Sequence, residues 1–138
     1  MPLFREKKGA AEDQDWYGAA QPMIEWANSV PRVDLAVELM ELFGRVDSCL
    51  RQEIYVWLFG VPTEVPMWRG DLRVAEVIER VEIPVCEALQ LLEHAELVCG
   101  FHRDAVAVWV WRATRLGLAT MANGKHAVRQ RIKDRTGL

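Results

Sequence analysis

The chain contains 138 residues, of which 51% are hydrophobic and 27% are charged. These values are ordinary for a soluble globular protein and exclude a disordered or fibrous chain, and the length suits a single core. A formal net charge of −3 argues against a protein that coats nucleic acid through bulk charge. The charge is uneven, because residues 121–138 carry five basic side chains and one acid, which leaves a net charge of −7 on the other 120 residues.

Cysteine usage and the N-terminal sequence predict a cytoplasmic location. The three cysteines, Cys49, Cys86 and Cys99, lack the even spacing of a secreted disulfide framework. The N-terminus has charges where a signal peptide needs an apolar run, and no later stretch reaches the roughly 18 apolar residues of a membrane span. We therefore expect a soluble cytoplasmic protein with no membrane partner.

Residues 1–30 form the first predicted unit, and residues 31–138 form the second. The first unit mixes charge, glycine and alanine without a sustained period, but it contains apolar side chains such as Trp16 and Trp26. It is interpreted as a partly ordered N-terminal arm that docks through its later part. The alternative is a frayed tail with incidental aromatic residues.

Two helices are predicted after the arm. Apolar residues between 35 and 46 recur at the spacing of one helical face, with Asp34 as a possible cap. A second helix is expected to begin near Asp47 or Ser48 and to stop at Gly60 and Pro62.

The segment that follows, from Asp71 to Leu97, predicts a helix, a tight turn and another helix. The first of these helices has two to three turns and ends at Val81, where the sequence "EIP" breaks the pattern. Pro84 suits the first turn of the next helix, because its missing N–H would be unpaired there in any case.

A β-hairpin and a helical segment are predicted next. Residues 97–101 and 106–114 suit two strands, with a polar tip at residues 102–104. Thr114 ends the second strand, and its hydroxyl is placed to cap a helix that begins by Arg115. Residues from there to about 135 predict one or two helices that are basic on the outer side, with "ANG" as a possible break.

This order of elements resembles the winged helix-turn-helix of the MarR and PadR types of bacterial transcriptional regulators. Residues 73–98, "RVAEVIERVEIPVCEALQLLEHAELV", resemble the second helix, turn, recognition helix and first wing strand of that family. Residues 109–121, "WVWRATRLGLATM", look like the second wing strand running into the final helix. The resemblance implies a mainly α fold with a small β-hairpin, that is, a winged helix-turn-helix with extra N- and C-terminal helices. It also implies a regulator that binds double-stranded DNA.

In that family the recognition helix lies in the major groove and the wing reaches toward the minor groove. Carried over to this chain, the resemblance places Pro84, Glu87, Leu91 and His94 on the face toward DNA. The other candidate DNA contacts are Arg69, Arg73, Gln90, His102, Arg103, Arg112 and Arg115. The alternative for each arginine is that it is solvated or paired with one of the abundant glutamates.

The recognition helix departs from the family in its charge. From Pro84 to Val98 there are three glutamates and no lysine or arginine, whereas contacts to DNA rely mainly on arginine and lysine. The alternative function is therefore a winged-helix protein-interaction module, whose acidic recognition helix binds a basic protein partner instead of DNA.

An apolar stripe in the basic C-terminal segment predicts a homodimer. Met121, Val128 and Ile132 lie at helical spacing on a segment otherwise too polar to be buried. A second copy of the chain would cover the stripe. The alternative is packing against the first helix of the same chain.

No catalytic or metal site is predicted. Cys99 and His102 have a C-x-x-H spacing, but a structural zinc site requires four ligands and no second close pair exists. The sequence contains no glycine-rich phosphate loop and no Ser-His-Asp set in a recognisable frame. We expect a protein that is not an enzyme and that uses no cofactor.

Overall fold

A computed structural model describes residues 15–62, 72–102 and 109–138. The described part is mainly helical with a small antiparallel sheet, as expected. Its elements in chain order are α1 (Trp16–Ser29), α2 (Arg32–Arg45), β1 (Cys49–Leu50), α3 (Arg51–Phe59), α4 (Leu72–His94), β2 (Val98–His102), β3 (Trp109–Ala113), α5 (Arg115–Ala122) and α6 (Lys125–Thr136).

Helix α2 lies at the centre of the core. It packs against α4, α6, α5, α3 and β3, so apolar residues on more than one face of it are buried, including Leu35, Leu39 and Phe43. The helix begins at Arg32, two residues before the predicted cap. Asp34 therefore does not cap the helix. It lies in the first turn, where a carboxylate interacts favourably with the helix dipole.

Helix α1 belongs to the segment predicted as an arm. Its buried residues recur every three or four positions, which gives one apolar face directed at α4 and α3. These residues are Trp16, Ala20, Met23, Ile24 and Ala27. The later half of residues 1–30 thus contributes a helix to the same core, and residues 1–14 lie outside the described part.

The predicted helix start at residue 47 or 48 is wrong, because a short strand comes first. Strand β1 pairs with β3, with Cys49 opposite Trp111 and Leu50 opposite Val110. The sheet is antiparallel with the order β1-β3-β2. Helix α3 then begins at Arg51 and ends at Gly60, whose φ of 72° lies in the left-handed region that favours glycine.

Helix α4 runs without a break through Pro84, so the predicted helix, tight turn and helix at residues 71–97 are wrong. Proline has no N–H to donate to the carbonyl four residues earlier, which here belongs to Arg80. The side chain of Asn28 in α1 donates to that carbonyl instead, at 3.1 Å from Nδ2 to O. A hydrogen bond from another helix therefore satisfies the acceptor that the proline leaves unpaired.

The predicted hairpin and helix cap are confirmed. Strands β2 and β3 pair from Val98 opposite Ala113 to His102 opposite Trp109, and the predicted tip beyond residue 102 lies outside the described part. The Thr114 hydroxyl accepts a hydrogen bond from the backbone N–H of Gly117 at 2.9 Å. The same hydroxyl donates to the carbonyl of Glu96 at 2.6 Å, which ties the start of α5 to the turn before β2.

The C-terminal segment forms two helices, α5 and α6, which are separated at residues 123 and 124 as the "ANG" break predicts. Val128 and Ile132 are buried in the core of the same chain, and Met121 packs against that core. The prediction that these three residues form a dimer surface is therefore wrong. The alternative, packing against α2, is the observed arrangement.

Among the described residues, no helix combines the length and apolar character that would let it cross a membrane.

Candidate interaction surface

One face of α4 is exposed along its whole length and is called the outer stripe below. Its residues follow one another at intervals of three or four positions, opposite the buried face of the helix. They are Leu72, Glu76, Glu79, Ile83, Glu87, Gln90 and His94, all of which are exposed. The buried face includes Val77, Val81, Ala88 and Leu92.

The outer stripe combines exposed apolar side chains with acidic ones. Leu72 is 86% exposed and Ile83 is 69% exposed, the two largest values among the large hydrophobic residues of the described part. The stripe carries three glutamates and no lysine or arginine, and α4 as a whole has five glutamates and two arginines. This surface is therefore acidic and partly apolar.

Arginines that border the outer stripe form hydrogen bonds and ion pairs between α4 and its neighbouring helices. Arg80 of α4 donates to Gln21 of α1 at 2.7 Å, and Arg32 at the start of α2 pairs with Glu87 at 2.9 Å. Tyr17 donates a hydrogen bond to Glu76, which raises the pKa of the Tyr17 hydroxyl. These contacts hold α1 and α2 against α4. Arg80, 3.9 Å from Glu76, and Arg32 partly neutralise Glu76 and Glu87, while Glu79 carries no hydrogen bond or ion pair to a described residue.

The predicted recognition face is only partly exposed. Pro84 is buried and Leu91 is 9% exposed, so their predicted outward placement is wrong. Glu87, Gln90 and His94 are exposed as predicted. The difference arises because α1, α2 and α6 all pack against α4, which widens its buried arc beyond that of a helix with a single packing partner.

Two of the predicted basic contacts lie three positions apart at the base of the hairpin. Arg112 in β3 and Arg115 at the start of α5 are exposed, and neither forms an ion pair with a described residue. His102, at the other end of β2, packs edge-on against Trp109, with ring centroids 4.5 Å apart. Arg69 and Arg103 lie outside the described part.

The remaining predicted arginine is remote from that pair. Arg73 lies in the first turn of α4, exposed and with its guanidinium 6.0 Å from the ring centroid of Trp16. Strand β3 meets the other end of the same helix, where Trp111 contacts Glu93. Twenty residues of helix, about 30 Å at 1.5 Å per residue, separate Arg73 from that contact. The described arginines therefore do not converge on one surface.

The basic C-terminal segment is largely neutralised within the chain. Lys125 pairs with Glu38 and Glu41 of α2, at 2.9 Å and 3.1 Å. Arg129 pairs with Asp34. Arg131 and Arg135 pair with Glu96 in the turn that follows α4. The basic side chains of this segment therefore form ion pairs largely with acidic residues on α2 and in the turn after α4, and they do not form a free basic surface.

Sequence reasoning misses the first half of the outer stripe. The local pattern directs Leu72 toward the core and places Ile83 in a helix break. Extending the helical period of Glu87, Gln90 and His94 backwards through Pro84 would place both residues on the exposed face. The proline conceals this continuity.

Known proteins offer no guide to the role of this surface, since no family model, curated protein or solved structure matches the chain. Within the described ranges, no group of three or more His, Cys, Asp or Glu side chains is arranged to hold a metal ion. The function is therefore inferred from the residues and geometry of this chain.

Proposed function

We propose that this chain is a winged-helix protein-interaction module whose outer stripe binds a partner segment rich in basic and apolar residues. The observation that carries this proposal is the exposure of Leu72 and Ile83 on a stripe that also carries three glutamates and no cation. Exposed apolar residues framed by charge are typical of binding surfaces. Complementary charge would steer and orient a basic partner, and burial of the apolar side chains would supply much of the affinity.

The order of elements supports the winged-helix part of the proposal. Helices α2, α3 and α4 are followed by the hairpin of β2 and β3 and then by α5. The resemblance places two helices and a turn within residues 73–98, where the structure has the single helix α4, so the order of elements fits only with α4 taken as one helix. In this assignment, α3 and α4 take the roles of the helix-turn-helix pair.

A fluorescence anisotropy experiment with a defined probe tests the proposal. The probe is a labelled synthetic amphipathic helix with lysine and leucine on one face. Ile83→Ser should weaken its binding about tenfold, because a buried aliphatic side chain contributes more than 1.4 kcal/mol. The matched control is Leu118→Ser, at a 52% exposed position on α5, which should bind within about twofold of the parent chain.

A charge reversal provides the second arm of that experiment. Glu79→Lys should weaken binding of the same peptide, with a larger effect at low salt because exposed charges are screened at high salt. Asp47→Lys, at an exposed position between α2 and β1, makes the same charge change outside the stripe. Equal losses in the stripe variants and their controls would contradict the proposed surface.

The second candidate function is a dimeric DNA-binding transcriptional regulator in the cytoplasm. The specific observation in its favour is the exposed pair Arg112 and Arg115, neither of which is ion-paired to a described residue. The cysteines are free thiols, as a reducing compartment would keep them. A dimer, which would place two α4 helices on successive turns of a duplex, can be tested by light scattering.

Salt dependence separates the two candidates. A DNA-binding protein should bind a labelled random-sequence duplex with an affinity that falls steeply between about 50 and 200 mM salt. The double change Arg112→Ala and Arg115→Ala should reduce the slope of log affinity against log salt by about 0.9 for each phosphate that these side chains neutralise. Failure to bind duplex at the lowest salt would exclude this candidate, and duplex binding that depends on both arginines would favour it over the peptide-binding module.

A further inference from the structure

The exposed face of α5 differs in charge from the outer stripe of α4. Residues 109–133, which include α5, contain six lysines and arginines and no aspartate or glutamate. Lys125, Arg129 and Arg131 of α6 are ion-paired to acids elsewhere in the chain. Arg115, at the start of α5, is exposed and forms no ion pair with a described residue. The face of α5 is therefore basic where the outer stripe is acidic.

The same face of α5 is also apolar. Leu118 is 52% exposed and Leu116 is 40% exposed, although the opposite side of the helix is pressed against the core at Gly117. Ala119 and Ala122 are exposed as well and lie between the two leucines on the outward side of the helix. Small side chains at a contact let two helices approach closely. Helix α5 thus presents a surface suited to packing against another helix.

Ile83 lies in the middle of the outer stripe, one turn after a glutamate without a partner. It is 69% exposed, and Glu79, four residues earlier, carries no hydrogen bond or ion pair to a described residue. The other two glutamates of the stripe are partly neutralised by arginines. The negative charge most available to a partner is therefore that of Glu79, beside an exposed aliphatic side chain.

The two surfaces carry a charge and an apolar side chain at the same spacing. Glu79 precedes Ile83 by four residues on α4. Arg115 precedes Leu118 by three residues and Ala119 by four on α5. These intervals are about one helical turn, roughly 4.5–6 Å along the helix axis. Two such helices packed side by side in parallel would set Arg115 beside Glu79. The same arrangement would place Leu118 and Ala119 against Ile83.

We propose that the partner of the outer stripe is a second copy of this chain, whose α5 packs in parallel against α4 around Ile83. This inference rests on the proposed function of the outer stripe, and α5 supplies the basic and apolar segment that the stripe requires. Both surfaces are exposed in the single chain, so neither is covered from within. Each copy presents both surfaces, so the contact is heterologous and joins copies head to tail.

The size of the contact determines its strength. Helix α5 has eight residues, about 12 Å at 1.5 Å per residue, so it covers only the part of the outer stripe around Ile83. Such a contact is smaller than the roughly 1,200 Å² of standard interfaces, and its dissociation constant is on the order of 100 µM. The chain is therefore monomeric at low micromolar concentration and associates when concentrated.

Sedimentation equilibrium of the intact chain tests the proposal. The weight-average mass should equal that of one chain at about 5 µM and rise above it between about 100 and 500 µM. Ile83→Ser and Leu118→Ser should each weaken the association about tenfold, because each removes an aliphatic side chain that the contact buries. The matched control is Leu138→Ser, at a 61% exposed position outside both surfaces, which should associate within about twofold of the parent chain.

A mixture of variants tests the heterologous arrangement. Ile83→Ser keeps an intact α5 and Leu118→Ser keeps an intact outer stripe, so the two together should form a heterodimer with the affinity of the parent contact. Glu79→Arg and Arg115→Glu should each weaken the association, more strongly at low salt, and should restore it when mixed. Parental association of Leu118→Ser alone would indicate a stripe-to-stripe contact and overturn the proposal.

The remaining outcomes separate this inference from the proposed function. A parent chain that stays monomeric up to about 500 µM, while the lysine–leucine peptide binds the outer stripe, refutes self-association and leaves the proposed function standing. If the peptide does not bind either, both fail. Association that neither Ile83→Ser nor Leu118→Ser weakens uses another surface and also refutes the proposal.

Discussion

The Asn28 side chain compensates for the effect of Pro84 on the backbone of α4. A proline inside a helix leaves the carbonyl four residues earlier without its N–H donor and commonly kinks or ends the helix. Here the Asn28 amide donates to the Arg80 carbonyl, across 52 positions of sequence, and also to Ile24 at 2.9 Å within its own helix. The asparagine therefore both supports α4 at the proline and joins α1 to it.

This arrangement predicts energetic coupling between Asn28 and Pro84. Asn28→Ala should lower the free energy of unfolding by about 1 kcal/mol, because the Arg80 carbonyl loses its donor. In a Pro84→Ala background the restored N–H of residue 84 can bond to that carbonyl, so the same change should cost at least about 0.5 kcal/mol less. Urea unfolding of the four proteins in the cycle measures the difference.

Asn123→Ala is the matched control for that cycle. Asn123 donates to the carbonyl of Ala119 in α5, far along the chain from the proline. Its replacement should cost the same in both backgrounds. Equal costs for Asn28→Ala in the two backgrounds would show that the asparagine does not replace the missing N–H.

Cys49 predicts a loss of stability in alkali. Its pKa is raised from 9.0 to about 12 in the folded protein, first by burial and then by Glu53. The folded state therefore keeps a proton that the unfolded state releases above pH 9, so stability is full below pH 9 and falls as the pH rises toward 12. The slope from this group is about 1.4 kcal/mol per pH unit.

Thermal or urea unfolding between pH 9 and 10 reports mainly this contribution, since Tyr55, with an ordinary pKa of 10.0, contributes less in that range. Cys49→Ala should give a flatter dependence of stability on pH across this unit. Cys99→Ala removes an exposed thiol and is the matched control. The same slope in Cys49→Ala as in the parent chain would contradict the assignment.

At the scale of elements, the start of α5 is pressed against the turn that follows α4. The backbone N–H of Thr114 donates to the Leu97 carbonyl at 3.0 Å, and the Thr114 side chain caps α5. At Gly117, a Cβ atom would collide with that same Leu97 carbonyl and would lie 3.0 Å from the Met40 methyl carbon. The glycine is required for close approach of backbone, which fixes α5 on the sheet and against α2.

Gly117→Ala should therefore lower the free energy of unfolding by about 1–3 kcal/mol, as overpacking against backbone does. Gly18→Ala is the matched control, because a Cβ at this helical position in α1 meets nothing within 4 Å. That change should raise stability by roughly 0.5–1 kcal/mol through the ordinary helix preference of alanine. A neutral Gly117→Ala would show that the Leu97 backbone moves aside without cost.

Elements defined by local signals were predictable from the sequence. Periodicity located α2, and the change from alternation to Thr114 and a helical pattern located β3 and α5. Strand β1 was missed because two residues are too few to show a period. The unbroken α4 was missed because the hydrogen-bond donor that replaces the missing N–H of Pro84 is a side chain of α1.

The candidate surface was predictable only in its chemistry. The acidic character of the helix that ends at His94 follows directly from its glutamates. The direction of each side chain does not, because Leu91 is buried as a result of helices that pack against α4 from several sides. Such packing depends on residues remote in sequence, which a local pattern does not report.

At the scale of the whole molecule, pairing between distant segments removes the imbalance between an acidic body and a basic C-terminal segment. Lys125 of α6 lies beside Glu38 and Glu41 of α2. Ile132 of the same helix is buried in the core. Desolvation lowers the pKa of Lys125, but hydrogen bonds to the two glutamates outweigh it and raise the pKa overall. Apolar burial and ion pairing thus hold α6 on the same chain.

Ile132→Ala should lower the free energy of unfolding by about 2–5 kcal/mol, because it leaves a cavity at a fully buried site. The unfolding midpoint should not depend on protein concentration in either protein, since this stripe packs within one chain. Leu118→Ala, at a half-exposed site of α5, should change stability by less than about 0.5 kcal/mol. A midpoint that rises with concentration and loses this dependence in Ile132→Ala would restore the stripe as a dimer surface.

The position of α6 in the chain also determines when the core around α2 can be completed during synthesis. Of the described elements, α6 leaves the ribosome last, yet it covers α2, one of the first to emerge. A 12-residue helix as polar as α6 is too short to be stable alone, so it becomes ordered on docking. Until α6 emerges, α2 keeps an uncovered apolar side and an unmatched row of acids at Asp34, Glu38 and Glu41. The nascent chain thus completes this core only when α6 arrives.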